Sequence, residues 1–126
     1  MDFDSGKPIY LQIVEFFYEN ILLRQWQEAE RIPSVREVAV MVEVNPNTAM
    51  RAFTYLQELN VIHNKRGVGY FVSESGYEKV LEIKRKEFKE EVLPDVFKKM
   101  KLLDVTFEEV KASFNTYLKN SEDEKK

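Results

Sequence analysis

Between Ile32 and Thr48 the chain reads IPSVREVAVMVEVNPNT, a segment that carries two helix start signals. In the first, Ser34 precedes Glu37 by three residues, the spacing of a capping box in which each side chain bonds the backbone N–H of the other residue. In the second, Asn45 stands directly before Pro46, the order of an N-cap followed by the first helical position. The segment therefore predicts two successive helices.

Apolar residues follow each start signal at helical spacing, so each helix has one side that can be buried. The first stripe is Val35, Val38, Ala39 and Val42, and the second is Ala49, Phe53, Leu56 and Leu59. Only a short turn at Glu43 and Val44 separates the two helices. Two helices joined so tightly, the second opening with polar residues, are typical of a helix-turn-helix.

The segments on either side complete this unit. Upstream, Pro8 to Gln27 has no internal Pro or Gly and is dense in large apolar residues at helical spacing, which predicts a mostly buried first helix. Downstream, β-prone runs at 61–63 and 70–72 flank the polar, glycine-bearing turn Asn64–Gly69, which predicts a hairpin. A basic hairpin that follows a recognition helix is a wing. His63, the only histidine, is interpreted as strand packing.

The remaining residues predict a helical appendage. After a short linker at 73–76, apolar stripes indicate a helix to Val92, a restart at Pro94, and a last helix that opens with capping-box spacing at Thr106 and Glu109. Residues 120–126 are expected to be a frayed, charged tail. The predicted fold is mainly α with a small β-hairpin wing, and the predicted domains are a winged helix-turn-helix at 1–74 and a helical dimerisation segment at 75–126.

Composition excludes several classes of protein. The chain has 126 residues, 44% hydrophobic and 33% charged, with no cysteine and no apolar run long enough to span a bilayer. A single histidine without cysteine supplies neither a nucleophile with its base nor a metal cluster, so we expect no enzyme, no metal and no cofactor. We expect a cytoplasmic protein without a membrane partner.

The net charge of the chain does not favour binding to nucleic acid. Net charge is −3 over the whole chain, and residues 1–74 alone account for all of it, with seven Lys and Arg against ten Asp and Glu. Any DNA binding must therefore depend on a few cations on one face rather than on a broadly basic surface.

Three blocks of sequence resemble the GntR family of bacterial transcription regulators. They are IPSVREVA from Ile32, VNPNT from Val44 and KRGVGYFV from Lys65, and together they place the resemblance over about residues 8–73. The VNPNT block and the short helical C-terminus are similar to the YtrA subgroup of that family. The wider family has an arginine at the position of Met50, whereas this chain, like the YtrA pattern, has it at Arg51.

The resemblance implies a set of DNA-contacting positions. Ser34 and Arg36 match the start of the second helix, and the others match the recognition helix and the wing tip: Asn45, Asn47, Thr48, Arg51, Lys65, Arg66 and Gly67. These residue types are suited to DNA contacts, since Asn amides and Arg guanidinium groups form hydrogen bonds with base edges or phosphates. Six of them also have a structural alternative: Ser34 and Asn45 as helix caps, the three arginines and Lys65 as solvated charges.

The same resemblance implies the partners and the mode of action. We expect a homodimer that binds an inverted-repeat operator in double-stranded DNA and represses transcription. The alternative from the residues is a winged-helix module for protein–protein contact, which the acidic balance favours. A small-molecule effector is not expected, because some fifty C-terminal residues are too few to enclose a ligand pocket.

Overall fold

The computed structural model describes residues 6–124, which form six α-helices and one hairpin. In chain order these are α1 (Ile9–Leu22), α2 (Val35–Val42), α3 (Pro46–Glu58), β1 (Ile62–Lys65), β2 (Gly69–Val72), α4 (Gly76–Glu87), α5 (Leu93–Leu103) and α6 (Phe107–Glu124). A π-helical segment, Phe88–Val92, connects α4 to α5. The mainly helical fold with a small hairpin is the predicted one. The chain divides into a unit that ends at Lys84 and a unit that begins at Arg85.

The first helix is shorter than its sequence pattern predicts. It ends at Leu22 rather than near Gln27, and Arg24 then adopts a left-handed backbone conformation with φ 63°. This turn brings the Trp26 ring against the Phe17 ring, with centroids 5.0 Å apart in an edge-to-face arrangement. Trp26 thus packs on the core only because the helix has already ended.

The helix-turn-helix forms as predicted, with both start signals in place. The Ser34 hydroxyl accepts from the Glu37 N–H at 3.2 Å, and a Glu37 carboxylate oxygen accepts from the Ser34 N–H at 3.1 Å. The Asn45 side-chain oxygen accepts from the Asn47 N–H at 2.8 Å, and Pro46 is the first residue of α3. Between the helices, Glu43 is left-handed with φ 57°, which makes the turn as short as expected.

The hairpin forms two isolated β-bridges with the segment before α2, which the sequence does not reveal. Strands β1 and β2 are antiparallel, with Ile62 opposite Val72 and Lys65 opposite Gly69. Bridges from Glu28 to Val72 and from Arg31 to Phe71 add the segment before α2 to the free edge of β2.

Aromatic rings join the hairpin to the helices in the core of the N-terminal unit. Phe53 of α3 is fully buried, and its ring meets Phe17 of α1 at 5.0 Å and Tyr70 of β2 at 4.7 Å. Val80 of α4 is fully buried in the same cluster. The first residues of α4 therefore pack with the N-terminal unit, beyond residue 74, and the predicted domain division stays a prediction.

The C-terminal unit differs from its sequence pattern in two places. Instead of a break before Pro94, the π-helical segment continues the helix into α5, and Pro94 lies in the first turn of α5, where the lack of an N–H is tolerated. Helix α6 continues through residues 120–124, which were expected to be frayed, while residues 125–126 of that tail lie outside the described residues. The Thr106–Glu109 capping box is confirmed, with bonds of 2.8 and 3.2 Å.

Large apolar side chains remain exposed along both long helices of the C-terminal unit. On α5 and α6 they are Val96, Phe97, Leu102, Leu103, Phe107, Phe114, Tyr117 and Leu118. Within residues 6–124, no helix combines the length and the apolar character needed to cross a membrane.

Candidate nucleic-acid interface

The start of α2 presents one half-buried polar side chain and one exposed cation. Ser34 is the N-cap, and its hydroxyl is engaged with the Glu37 N–H. Arg36, the second residue of the helix, is exposed and has no ion-pair partner among residues 6–124. Ser34 is therefore first a cap, whereas the Arg36 guanidinium is available to a ligand.

Glu37 follows Arg36 directly, and its carboxylate is stabilised in the charged form. The hydrogen bond from the Ser34 N–H lowers the pKa of the Glu37 carboxyl. The hydrogen bond with the Ser34 hydroxyl and the nearby positive charge of Arg31 lower it further. A carboxylate that accepts hydrogen bonds is stabilised as the anion. Its charge also lies favourably at the N-terminus of α2, where the helix dipole is positive.

Helix α3 has a clear division between a buried and an exposed side. Ala49, Ala52, Phe53 and Leu56 are buried. On the other side the exposed residues repeat at helical spacing as Asn47, Met50, Arg51 and Thr54. We call these four residues the exposed stripe of α3. Asn47 and Arg51 are predicted site residues, whereas Met50 and Thr54 were not singled out, although the helical period alone places them beside the other two.

The first turn of α3 contains the other predicted residues. Asn45 is exposed, and its side-chain oxygen is committed to the Asn47 N–H, which leaves its NH₂ group to donate elsewhere. Thr48 is half-buried, and its N–H bonds the Asn45 carbonyl at 3.0 Å. Asn45 thus combines a cap with a free donor at the exposed start of the helix.

Arg51 is anchored by a ring from another helix. Its guanidinium carbon lies 4.3 Å from the centroid of the Tyr10 ring on α1. Tyr10 in turn meets Tyr55 edge to face at 6.1 Å. A guanidinium stacked on a ring keeps its in-plane N–H donors available, so this contact orients Arg51 without consuming its hydrogen bonds.

The wing carries the remaining predicted cations at its tip. Lys65, Arg66 and Gly67 are exposed, and Gly67 adopts φ 80°, a conformation that favours glycine in the tight turn. The Lys65 ammonium lies 4.5 Å from the centroid of the Phe71 ring. His63 stacks on the same ring at 5.8 Å, in agreement with its interpretation as strand packing.

One further cation lies beside these residues and was not predicted. Arg31 is exposed, forms the bridge to Phe71, and extends its side chain across Gly69. Just after it, the Ile32 N–H bonds the Tyr70 carbonyl at 2.9 Å, which fixes the start of α2 against the wing. The sequence offered only the proximity of Arg31 to Ser34 as a signal.

The family model for bacterial regulatory proteins of the gntR family matches residues 9–72, from α1 to the end of the wing. The chain belongs to the GntR family. The residues described above are thus the helix-turn-helix and wing of a GntR-family regulator. Within residues 6–124, no three His, Asp or Glu side chains are grouped so that they could hold a metal ion.

Two curated relatives match over two thirds or more of the chain. The chain is 37% identical to the HTH-type transcriptional regulator YhcF of Bacillus subtilis over 115 residues, which are 91% of this chain and 93% of YhcF. It is 34% identical to the HTH-type transcriptional repressor YtrA of the same organism over 88 residues, 70% of this chain and 68% of YtrA. This GntR-family chain is therefore a transcription regulator with a helix-turn-helix, and not an enzyme.

A solved structure extends the similarity to three dimensions. The crystal structure of a putative GntR-family transcriptional regulator from Bacteroides thetaiotaomicron superimposes with a TM-score of 0.74 at 36% identity. The match covers 90% of this chain and 99% of the other. The winged helix-turn-helix with a short helical C-terminus is thus found in a solved member of the same family.

Proposed function

We propose that this regulator binds operator DNA as a homodimer and represses transcription. The exposed stripe of α3 enters the major groove, the start of α2 contacts the backbone beside it, and the wing contacts the adjacent backbone or minor groove. The contacting residues are those of the predicted set: Ser34, Arg36, Asn45, Asn47, Thr48, Arg51, Lys65, Arg66 and Gly67. Operator binding implies a cytoplasmic location.

The distribution of cations in the N-terminal unit is the observation that carries this proposal. Of the nine Lys and Arg between residues 6 and 84, four are engaged away from the proposed interface. Lys7 and Lys84 pair with Glu15 at 3.8 and 2.7 Å, Arg24 stacks on Tyr77, and Lys79 donates to a backbone carbonyl. The other five all belong to the start of α2, α3 or the wing, or lie directly beside them: Arg31, Arg36, Arg51, Lys65 and Arg66.

This selective placement resolves the conflict with the acidic net charge. A protein gains affinity for DNA from the phosphates that it neutralises, not from its total charge. Glu37, the residue after Arg36, has a carboxylate that accepts a hydrogen bond from the Ser34 N–H at the N-terminus of α2. A net-acidic chain with five cations on one surface is therefore expected to bind DNA with strong salt dependence and low non-specific affinity.

Dimerisation is proposed from the C-terminal unit. Its exposed apolar side chains include Phe97 at 57%, Phe114 at 57% and Tyr117 at 65% of their full surface. Apolar side chains at this density mark an interaction surface, and a second copy of the chain is the simplest partner. We assign this unit to dimerisation rather than to an effector. Repression is extended from the relative YtrA, which is named a repressor.

Selection of genomic fragments by the purified protein, followed by mobility shift and footprinting at several salt concentrations, tests the proposal. We expect an inverted repeat whose half-sites lie about one helical turn, roughly 10 base pairs, apart. The competing function is a winged-helix module for protein contact. Failure to shift any selected fragment at 50 mM salt, together with no retention on heparin, would favour that function and reject ours.

A further inference from the structure

We propose that Arg31 is an additional phosphate-contacting residue, which connects the DNA contacts of α2 to those of the wing. This inference rests on the proposed function, since it assigns a residue to the same interface. Neither the family resemblance nor the sequence pattern places Arg31 there. The argument comes from the route of its side chain and from its surroundings.

The side chain of Arg31 follows the wing because Gly69 leaves room for it. Arg31 and Phe71 are bridge partners, so their side chains lie on one face of the sheet, and Gly69 shares that face two residues along β2. A Cβ atom at Gly69 would lie only 2.8 Å from Nε of Arg31 and 3.4 Å from its Cδ. The arginine stem thus crosses the strand at the one position without a side chain.

The same face of the wing continues the positive charge. Lys65 is the cross-strand partner of Gly69, and its ammonium lies over the Phe71 ring. Arg66 follows in the turn. Arg31 and Lys65 therefore share the outer face of the wing, opposite to the face on which Tyr70 packs against Phe53. Cations that share one face of the wing can neutralise phosphates of a DNA strand that lies along it.

The charge of Arg31 lies near that of Glu37, but the two side chains do not form an ion pair. Arg31 is exposed and has no ion-pair partner among residues 6–124, and the nearby Glu37 bonds Ser34 instead. Its backbone lies between the wing strand and the N-cap of α2, the helix that crosses the DNA backbone in a helix-turn-helix. The planar guanidinium is suited to a phosphate, which it contacts with two parallel N–H donors.

The salt dependence of operator binding tests this assignment. Arg31→Gln keeps a polar side chain and removes the positive charge, whereas Arg31→Lys keeps the charge. The control Arg85→Gln removes one exposed arginine from the C-terminal unit. If each Arg31 neutralises one phosphate, the slope of log affinity against log salt becomes shallower by about 0.9 per protomer, or about 1.8 for a dimer. Between 50 and 200 mM salt, the dimer variant then loses about tenfold less affinity than the wild type.

The remaining variants separate the possible outcomes. Arg31→Lys should keep the wild-type slope, and Arg85→Gln should change nothing. A wild-type protein that binds DNA, with an unchanged slope in Arg31→Gln, would overturn this inference while leaving the proposed function intact. A wild-type protein that binds no DNA would overturn the proposed function itself. Thermal unfolding of each variant verifies that the fold is retained.

A double-mutant cycle tests the role of Gly69 independently. Gly69→Ala introduces strain, because the residue has φ 142°, and it also displaces the Arg31 side chain. Strain affects both backgrounds equally, whereas displacement matters only when Arg31 is present. We therefore expect Gly69→Ala to weaken operator binding by a smaller factor in Arg31→Ala than in the wild type. Equal factors in both backgrounds would contradict the proposed route of the side chain.

Discussion

The guanidinium carbon of Arg51 lies 4.3 Å from the centroid of the Tyr10 ring, so a residue of α1 orients a cation that α3 presents to solvent. Exposed cation–π contacts contribute about 0.5–1 kcal/mol. Tyr10→Leu should therefore weaken operator binding by about two- to fivefold, because Arg51 loses its preferred direction, whereas Tyr10→Phe retains the ring and should leave binding unchanged. Fluorescence anisotropy with an operator duplex measures both. Equal losses in the two variants would show that the ring does not position Arg51.

Arg36 and Asn47 should have different effects on operator recognition. Arg36 is an unpaired cation at the start of α2, where a contact to phosphate is independent of sequence, so Arg36→Ala should weaken binding to all sites. Asn47 belongs to the exposed stripe of α3, so Asn47→Ala should relax specificity at one or two positions of each half-site. Footprinting of both variants on the operator and on single-base mutants compares them. Unchanged affinity in both variants would mean that the interface lies elsewhere.

Substitutions of Asn45 can distinguish its role as a helix cap from its proposed contact with DNA. Aspartate caps a helix as well as asparagine does, so Asn45→Asp should keep the thermal stability of the protein. It also places a negative charge at the proposed DNA interface and should weaken binding at least as much as Asn45→Ala. The alanine variant loses the bond to the Asn47 N–H and about 1 kcal/mol of stability. Undiminished binding by Asn45→Asp would limit Asn45 to its capping role.

Glu37 should make stability depend on pH in the acidic range. The hydrogen bonds from Ser34 lower the pKa of the Glu37 carboxyl in the folded state. A lowered folded-state pKa stabilises the protein above the unfolded-state pKa, about 4.3 for Glu, and this stabilisation is lost as the pH falls through the folded-state value. Glu37→Gln retains an acceptor without the charge. Its melting temperature should lie below that of the wild type at pH 7, and the difference should shrink on acidification; a constant difference would contradict the assignment.

Local signals made much of the N-terminal unit predictable. The capping box of Ser34 and Glu37 and the cap at Asn45 each depend on residues within three positions, and both appear in the structure as the sequence indicates. The buried stripe of α3 follows from the helical period in the same way. The wing was equally accessible, because β-prone runs and a glycine-bearing turn alternate within twelve residues.

Contacts between distant segments account for what the sequence did not show. The segment around Glu28 has no β-prone run, and it forms its isolated bridges only because the edge of β2 offers backbone partners. The early end of α1 likewise goes together with a tertiary contact, the packing of Trp26 against Phe17. The positions of Arg31 over Gly69 and of Arg51 over Tyr10 likewise depend on the tertiary fold. Secondary-structure propensity and residue spacing therefore do not predict them.

The exposed apolar surface of α6 leads to a prediction about assembly. Phe114 retains 57% of its surface exposed, so a charge at this position should not disturb the fold of a single chain. In a dimer interface, however, a buried unpaired carboxylate is costly. Phe114→Glu should therefore convert the protein to a monomer in light scattering with an unchanged helical circular dichroism spectrum. Asn115→Glu, which adds the same charge about 100° around the helix, is the matched control and should stay dimeric.

The consequence for DNA binding makes this test specific. If two copies read the two half-sites together, the monomeric Phe114→Glu should lose at least about a hundredfold in operator affinity, because the second half-site no longer binds at high effective concentration. Its affinity for an isolated half-site should equal that of Asn115→Glu. A monomeric wild type, or a Phe114→Glu variant that still protects both half-sites at wild-type concentration, would show that the C-terminal unit does not pair the regulators, and another role for its apolar side chains would then be required.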